Sequence, residues 1–197
     1  MAAGRRDGTA ALPPGTLDRP PGRPAPFPNP PPPMSQINDL RGLFLHTLKD
    51  IYYAEQQVKK LMPEMAEKAT NQELKDAIGG HLNQAQTHIG RLEKVFEAIG
   101  EKAEGVTCQA MDGIVKECRE LMDEVEDAET RDAAIISSAQ AVDHYEITRY
   151  GTLATWAEQL GLDGDTVDHL RDSLGEEEES DEKLTRLAED KLNQKAV

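Results

Sequence analysis

Residues 130–161 read TRDAAIISSAQAVDHYEITRYGTLATWAEQLG, and this stretch decides the fold. Its apolar side chains recur at intervals of three and four residues, which is the period of one face of an α-helix. That face contains Ile136, Ala139, Asp143, Glu146, Tyr150, Leu153, Ala157 and Leu160. A helix is therefore predicted over about 130–160, with Gly161 ending it. Two residues of the face, Asp143 and Glu146, are acidic although the period directs them to the core.

Three other segments of the chain show the same helical period. Helices are predicted over about 38–69, over 71–99 and from about 163 to beyond 188, and Gly100 should end the second of these. Pro63 lies inside the first segment, where a proline should kink the helix or break it locally.

The connection between the second helix and the helix at 130–160 is about thirty residues long, which is too long for a bare loop. Thr107 begins a periodic run in it, so the connection should contain a short helix of its own. The apolar residues of that run are Met111, Ile114, Val115, Cys118 and Leu121. The junctions between the long helices are thus short, long and short. This pattern predicts an all-α fold, a four-helix bundle of the ferritin-like arrangement with one long crossover.

Polar side chains interrupt each of the four apolar stripes. They are Tyr52 and Glu55; His81, Gln84 and His88; Asp143 and Glu146; and Glu178, or its neighbour Glu177, with Asp181. A buried carboxylate without a partner costs several kcal/mol, so a core collects several of them only when something compensates their charge.

The heights of these residues follow from a rise of about 1.5 Å per residue along each helix. Heights are measured from the end of the bundle at which the first helix begins. If the crossover returns the chain to the opposite end, where the second helix begins, Glu55 lies at a height of roughly 27 Å and Gln84 at about 29 Å. Glu146 then lies at about 23 Å, and Glu178 and Asp181 lie between about 24 and 29 Å. All five positions fall within about one helical turn of a common level.

Carboxylates and imidazoles at one level of a four-helix core are typical of a site for one or two iron or manganese ions. The usual ligand pattern contains Glu-x-x-His twice, and this chain contains no such sequence. A buried network of Tyr, Glu and His remains the alternative. A single histidine such as His81 or His88 is often only hydrogen-bonded in a core, and most of the run 176–179 should be solvated.

The prolines divide the chain into two parts. Eleven of the 12 prolines precede Met34, so residues 1–33 are predicted to be a disordered leader, with Met34 as an alternative start. Residues 34–197 are predicted to form one bundle domain with a charge of −17, given −15 for the whole chain and +2 for the leader. Such acidity argues against a nucleic-acid partner and against an anionic membrane surface.

Motifs of other protein classes are absent from the chain. Two cysteines, Cys108 and Cys118, form neither a disulfide framework nor a zinc pattern, which favours reduced thiols and a cytoplasmic location. No GxGxxG, no phosphate-binding loop of the GxxxxGK[ST] type and no GxSxG occurs. No apolar run approaches the roughly 20 residues that span a bilayer.

The segment Asp143-His144-Tyr145-Glu146-Ile147, followed by Tyr150-Gly151-Thr152-Leu153-Ala154 and Ala157 to Gly161, resembles the YciE/YciF-type stress-induced ferritin-like proteins of bacteria. The resemblance extends in order over about 35–195. It includes Asp50, Tyr52 and Glu55; His81-Leu82; Arg91 to Phe96; Cys108 with Met111; Arg131 to Ala134; and Glu177-Glu178 with Asp181 and Leu184.

This resemblance implies a ferritin-like bundle, a homodimer and a dimetal centre without an established reaction. By position it implies the ligands Glu55, Gln84, Glu146, Glu178 and Asp181, with His144 as a neighbour. The chain departs from many relatives at 83–85, where it carries Asn, Gln and Ala in place of acidic residues or Thr. This departure leaves open whether one ion or two ions bind.

The function that follows from the sequence is stress protection by a core site for Fe or Mn. The metal ligands would be drawn from Glu55, His81, Gln84, His88, His144, Glu146, Glu178 and Asp181. Oxidation of Fe(II) or consumption of peroxide would be its chemistry. The alternatives are a non-catalytic protective or interaction protein with a buried polar network and, less favoured, a storage ferritin.

Overall fold

The computed structural model describes residues 37–196, except for the side chain of Lys191. The predictions made for residues 1–33 lie outside this range. Within it the chain forms five α-helices: α1 Leu40–Lys68, α2 Gln72–Ala98, α3 Gln109–Glu124, α4 Ala128–Gln159 and α5 Gly164–Leu187. A single wider turn, Ala188–Leu192, continues α5. The four predicted long helices and the predicted helix in the crossover are thereby confirmed.

The ends of the helices are set by local side-chain chemistry. Asp39, Asn71, Asp127 and Asp163 each accept a hydrogen bond from a backbone N–H in the first turn of α1, α2, α4 and α5. The thiol of Cys108 takes this position at the start of α3. Gly100 and Gly161 follow the ends of α2 and α4 with φ of 73° and 69°, a conformation that glycine adopts without strain.

Pro63 lies inside α1, and the helix continues on both sides of it. The local break that the sequence allowed does not occur. Leu61, Met62 and Met65 around it are fully buried, so burial of this face offsets the backbone hydrogen bond that a proline cannot form.

Helices α1 and α5 each pack against both α2 and α4, and α3 lies outside this ring against α1 and α4. Asp132, near the start of α4, accepts hydrogen bonds from Thr70 and Asn71 in the turn between α1 and α2. Helix α4 therefore begins at the end where α1 finishes, and it runs antiparallel to α1. The long link carries the chain back along the bundle, so the ferritin-like four-helix arrangement with one long crossover is confirmed.

The bundle interior is built from apolar side chains at the predicted stripe positions. Leu48, Val58, Leu92, Val95 and Leu153 have no exposed surface. Each such side chain contributes about 1.5–3 kcal/mol relative to full exposure. Over residues 37–196 no helix combines the length and the apolar character that crossing a bilayer requires.

Candidate metal centre

Six polar side chains meet in the middle of the bundle, and each has 2% or less of its surface exposed. We call them the core cluster: Glu55 on α1, His81 and His88 on α2, Asp143 and Glu146 on α4, and Glu177 on α5. All four helices of the ring contribute to it. The cluster comprises four carboxylates and two imidazoles, the ligand types and numbers that carboxylate-bridged di-iron bundles use.

Helical geometry brings these residues to one level. His81 and His88 are seven residues, or about two turns, apart on the buried face of α2. Asp143 and Glu146 are one turn apart on α4 and lie opposite α2 across the interior. Glu55 and Glu146 are two of the five residues for which the rise per residue predicts a common level, and in the fold both face histidines of α2.

His88 lies between three carboxylates. Its Nδ1 atom is 3.1 Å from Glu55 Oε1 and 3.0 Å from Glu177 Oε1. Its Nε2 atom is 2.8 Å from Glu176 Oε2, on the outer side of the cluster. The hydroxyl of Tyr150 donates a hydrogen bond to Glu55, and the Tyr150 ring meets the His88 ring edge-on with 5.6 Å between centroids.

His81 lies at the other side of Glu177. Its Nδ1 atom is 3.2 Å from Asp143 Oδ1. Its Nε2 atom is 3.4 Å from Glu177 Oε2 and 3.6 Å from Glu146 Oε2. Glu177 thus faces both histidines, one with each oxygen.

Most of the polar atoms in the cluster have no hydrogen-bond partner, although several lie within ion-pair distance of one another. Among the described residues, the eight unpartnered buried atoms are Glu55 Oε2, His81 Nε2, and both carboxylate oxygens of Asp143, Glu146 and Glu177. All eight belong to the core cluster. A protein core normally satisfies such groups, so this concentration marks a place where another species completes the bonding.

Burial and mutual repulsion determine the protonation of the cluster in the absence of an ion. Burial raises the pKa of Glu55 and of Glu146, and the neighbouring carboxylates raise the pKa of Glu146 further. Burial likewise raises the pKa of Asp143 to about 7, against the attraction of His81. These carboxyl groups therefore tend to hold protons when no cation is bound.

The surroundings of the two histidines and of Glu177 favour their charged forms instead. Burial opposes the charge of His88, but Glu177 and Glu55 outweigh it and raise the pKa of His88 to about 10. The same balance with Glu146, Glu177 and Asp143 holds the pKa of His81 well above its ordinary value. Burial would raise the pKa of Glu177, yet the two imidazoles lower it to about 2. Bound protons thus offset the charge of the metal-free cluster.

Two groups of ligand atoms have the spacing that a metal ion requires. One atom each from Glu55, His88 and Glu177 lie within 4.8 Å of one another, and so do atoms from His81, Asp143 and Glu177. Glu177 belongs to both groups, as a bridging carboxylate would. The donor set fits iron or manganese, because oxygen ligands with one imidazole per ion suit these metals.

The structure brings together four of the eight residues proposed as ligands from the sequence: Glu55, His81, His88 and Glu146. The other four lie outside the core cluster. Glu178 and His144 are exposed. Asp181 is partly buried and contacts Gln140 and His144 instead. Gln84 lines a surface cavity of about 420 Å³ between α2 and α5. The assignment of these eight residues as metal ligands stays a prediction.

Asp143 and Glu177 belong to the core cluster but not to the eight ligands predicted from the sequence. Asp143 lies on the predicted apolar stripe of α4. Glu177 was named only as the neighbour of Glu178 in an acidic run. The spacing of apolar residues identifies Glu177 as inward-facing, because Leu170 and Leu184, both buried, lie seven residues before and after it.

The bundle matches a known protein family. The family described as "Domain of unknown function (DUF892)" matches residues 39–197. Protein YciF of Escherichia coli (strain K12) is 40% identical over 161 residues, which cover 81% of this chain and 96% of that protein. The resemblance seen in the sequence is thereby confirmed.

Two solved structures share the fold. The crystal structure of the E. coli stress protein YciF aligns with a TM-score of 0.73 and 40% identity over 76% of this chain and 94% of that chain. YcfI of Rhodopseudomonas palustris, described as a proposed structural protein, aligns with a TM-score of 0.74 and 48% identity. That alignment covers 77% of this chain and 96% of YcfI.

Proposed function

The chain belongs to the DUF892 family, and from that premise we propose that it is a stress-response protein whose core cluster binds two iron or manganese ions. The stress role is supported by its similarity to the E. coli stress protein YciF. The metal site is supported above all by the eight unpartnered atoms of the core cluster. Two divalent cations would also balance the charge of the four carboxylates while the imidazoles stay neutral.

Each ion has its own residues in this proposal. Glu55 and His88 would hold one ion, His81 and Asp143 the other, and Glu177 would bridge them. Glu146, whose Oε2 atom faces His81, is the remaining carboxylate available to either ion. Iron or manganese bound there would supply redox chemistry of the kind that oxidises Fe(II) or consumes peroxide.

Metal analysis tests the site. Protein purified without chelator and incubated with Fe(II) or Mn(II) should contain about two ions per chain and melt at a higher temperature than the metal-free protein. Glu177→Gln should lose both ions, because Glu177 belongs to both groups of ligand atoms. Asp143→Asn should lose about one ion.

The matched control is Glu178→Gln, which removes the same charge from the next, exposed position of α5. It should bind metal like the wild type. Metal lost from Glu178→Gln but retained by Glu177→Gln would favour the ligand set inferred from the sequence. Less than about a tenth of an ion per wild-type chain, with an unchanged melting temperature, would reject the metal site altogether.

A second candidate function has an observation of its own. It is supported by the raised pKa values of both histidines, which would let the cluster balance its charge with protons alone, as a buried polar network would. The chain would then be a non-catalytic protective protein, and Glu55→Ala and Glu146→Ala would change only its stability. Metal-dependent consumption of oxygen or peroxide that is lost in these two variants would exclude this function.

We propose a homodimer in the cytoplasm as the state in which the protein acts. The free thiols of Cys108 and Cys118 support a reducing compartment. Light scattering of the full chain tests the assembly: a dimer is expected. A closed shell of many subunits would instead favour a storage ferritin.

A further inference from the structure

A salt bridge lies directly outside the core cluster, beside His88. The guanidinium of Arg91 on α2 donates two hydrogen bonds to Glu176 on α5, at 2.9 Å from Nη1 to Oε2 and 2.7 Å from Nη2 to Oε1. Nη1 also donates to the hydroxyl of Ser173, which is fully buried. The Glu176 carboxylate is therefore held in one orientation by a bidentate partner.

The two nitrogens of His88 have different surroundings. Nδ1 faces Glu55 and Glu177, which are both in the core cluster. Among the described residues, Nε2 faces only Glu176, at 2.8 Å. The ring itself has no exposed surface, and Tyr150 packs against it edge-on. The contacts around the ring thus define which nitrogen points into the cluster.

The chemistry of Glu176 decides where the hydrogen on the ring lies. An ionised carboxylate only accepts hydrogen bonds, and Arg91 donates one to each oxygen of Glu176, so the His88 Nε2 atom that lies 2.8 Å from Oε2 must donate as well. A neutral imidazole that donates from Nε2 carries its free lone pair on Nδ1. That lone pair is the one directed at Glu55 and Glu177.

We infer that Glu176, clamped by Arg91, is a positioning residue that fixes His88 in the tautomer presenting Nδ1 to a metal ion. The inference rests on the proposed metal site and goes beyond it, because neither Glu176 nor Arg91 belongs to the groups of ligand atoms. Metal-binding histidines commonly donate their other N–H to a carboxylate in this way, and loss of such a partner costs roughly 10–100-fold in metal affinity.

The variants separate orientation from charge. Glu176→Leu removes the acceptor, Glu176→Gln keeps an acceptor oxygen without the charge, and Arg91→Met removes only the clamp. The matched control is Glu64→Leu, because Glu64 forms the same bidentate pair with Arg119, at 2.7 Å for both bonds, on the exposed side of α1 and α3. His81 serves as an internal control, since it does not contact Glu176.

Two measurements on the full chain test the inference. Mn(II) affinity should fall about 10–100-fold in Glu176→Leu, fall less in Arg91→Met, recover in large part in Glu176→Gln, and stay unchanged in Glu64→Leu. In ¹⁵N-histidine-labelled protein loaded with Zn(II) as a diamagnetic probe, His88 should be bound through Nδ1 and carry its proton on Nε2. Glu176→Leu should change this His88 signal and leave that of His81 unchanged.

Zn(II) bound to His88 through Nε2 in the wild type would overturn the inference, and so would an affinity of Glu176→Leu close to that of the wild type. Both results leave the metal site itself intact. A wild-type chain that binds neither Mn(II) nor Zn(II) would remove the proposed function, and the inference with it, before any variant is compared. Circular dichroism of each variant checks that it is folded.

Discussion

Asp132 and Asp143 lie three turns apart on α4, and both are buried, yet their surroundings differ. Asp132 accepts three hydrogen bonds, from the Thr70 N–H and hydroxyl at 2.7 Å each and from the Asn71 N–H at 2.9 Å. Within residues 37–196, neither oxygen of Asp143 has a hydrogen-bond partner. The first aspartate ties α4 to the turn between α1 and α2, whereas the second leaves its bonding capacity open. The difference separates a structural carboxylate from a candidate ligand.

A second group of polar side chains also differs from the core cluster, because each of its members has a hydrogen-bond or ion-pair partner. Tyr145 donates its hydroxyl hydrogen to Asp50, and Arg149 Nε lies 3.1 Å from the same carboxylate. The Sγ atom of Cys108 is 2.8 Å from the Tyr145 hydroxyl. We call these four residues the crossover lock, because they join the start of α3 to α1 and α4. Every polar side chain in the lock has a partner, so the lock has the character of a structural element.

The largest expected effect comes from replacing Asp132, whose carboxylate oxygens both accept hydrogen bonds. Asp132→Ala leaves the N–H groups of Thr70 and Asn71 without their acceptor and should cost about 2–4 kcal/mol of unfolding free energy. The loss should be the same with and without metal, as measured by urea denaturation in chelator and in Mn(II). Asp127→Ala, at the exposed start of the same helix, should cost less. A loss that depends on metal would place Asp132 in the metal site.

Removing a carboxylate of the core cluster should change the stability in opposite directions in the metal-free and the metal-loaded protein. Glu146→Gln keeps the shape of the side chain and removes a carboxyl whose pKa burial and neighbouring carboxylates raise. The metal-free protein should gain about 1–3 kcal/mol at neutral pH, because the proton that Glu146 must take up on folding is no longer needed. The metal-loaded protein should lose stability, because a ligand is gone. Equal shifts of both thermal melts would show that Glu146 is not a ligand.

The pH dependence of the metal-free protein gives a smaller effect. The pKa of His88 is raised from 6.5 to about 10, so the folded chain binds more protons than the unfolded chain between these values. The contribution of His88 to the free energy of unfolding is complete below pH 6.5 and is lost as the pH rises toward 10. Urea denaturation in chelator should show stability decreasing across this window.

His88→Gln should lessen this decrease without abolishing it, because the raised pKa of His81 contributes over the same window. Replacing the exposed His144 by Gln should leave the decrease in place. Stability that rises with pH over the same window would contradict the protonation described for the cluster.

The smallest effect is expected in the crossover lock. Tyr145→Phe removes one hydroxyl that bonds to Asp50 and Cys108, and it should cost about 1 kcal/mol. The metal content and the metal affinity should not change. A loss of metal in this variant would mean that the lock and the core cluster are coupled through α4, on which Tyr145 and Glu146 are neighbours.

The sequence by itself determined the helices, their order and the level at which polar groups meet. Apolar period, capping residues and two stop glycines are local properties, and the connection lengths leave few topologies open. The same period identified Glu55, His81, His88 and Glu146, because each lies among apolar neighbours that fix the buried face of its helix. These features needed no knowledge of which helices pack together.

Only the tertiary structure decided which residue of the acidic run 176–179 points inward and whether Asp143 has a partner. Each step along a helix rotates the side chain by about 100°, so Glu177 enters the cluster while Glu178 faces solvent. The rotation of α5 about its axis is set by packing against α2 and α4. The partners of a buried carboxylate come from other helices, as Thr70 does for Asp132, and sequence spacing carries no information about such contacts.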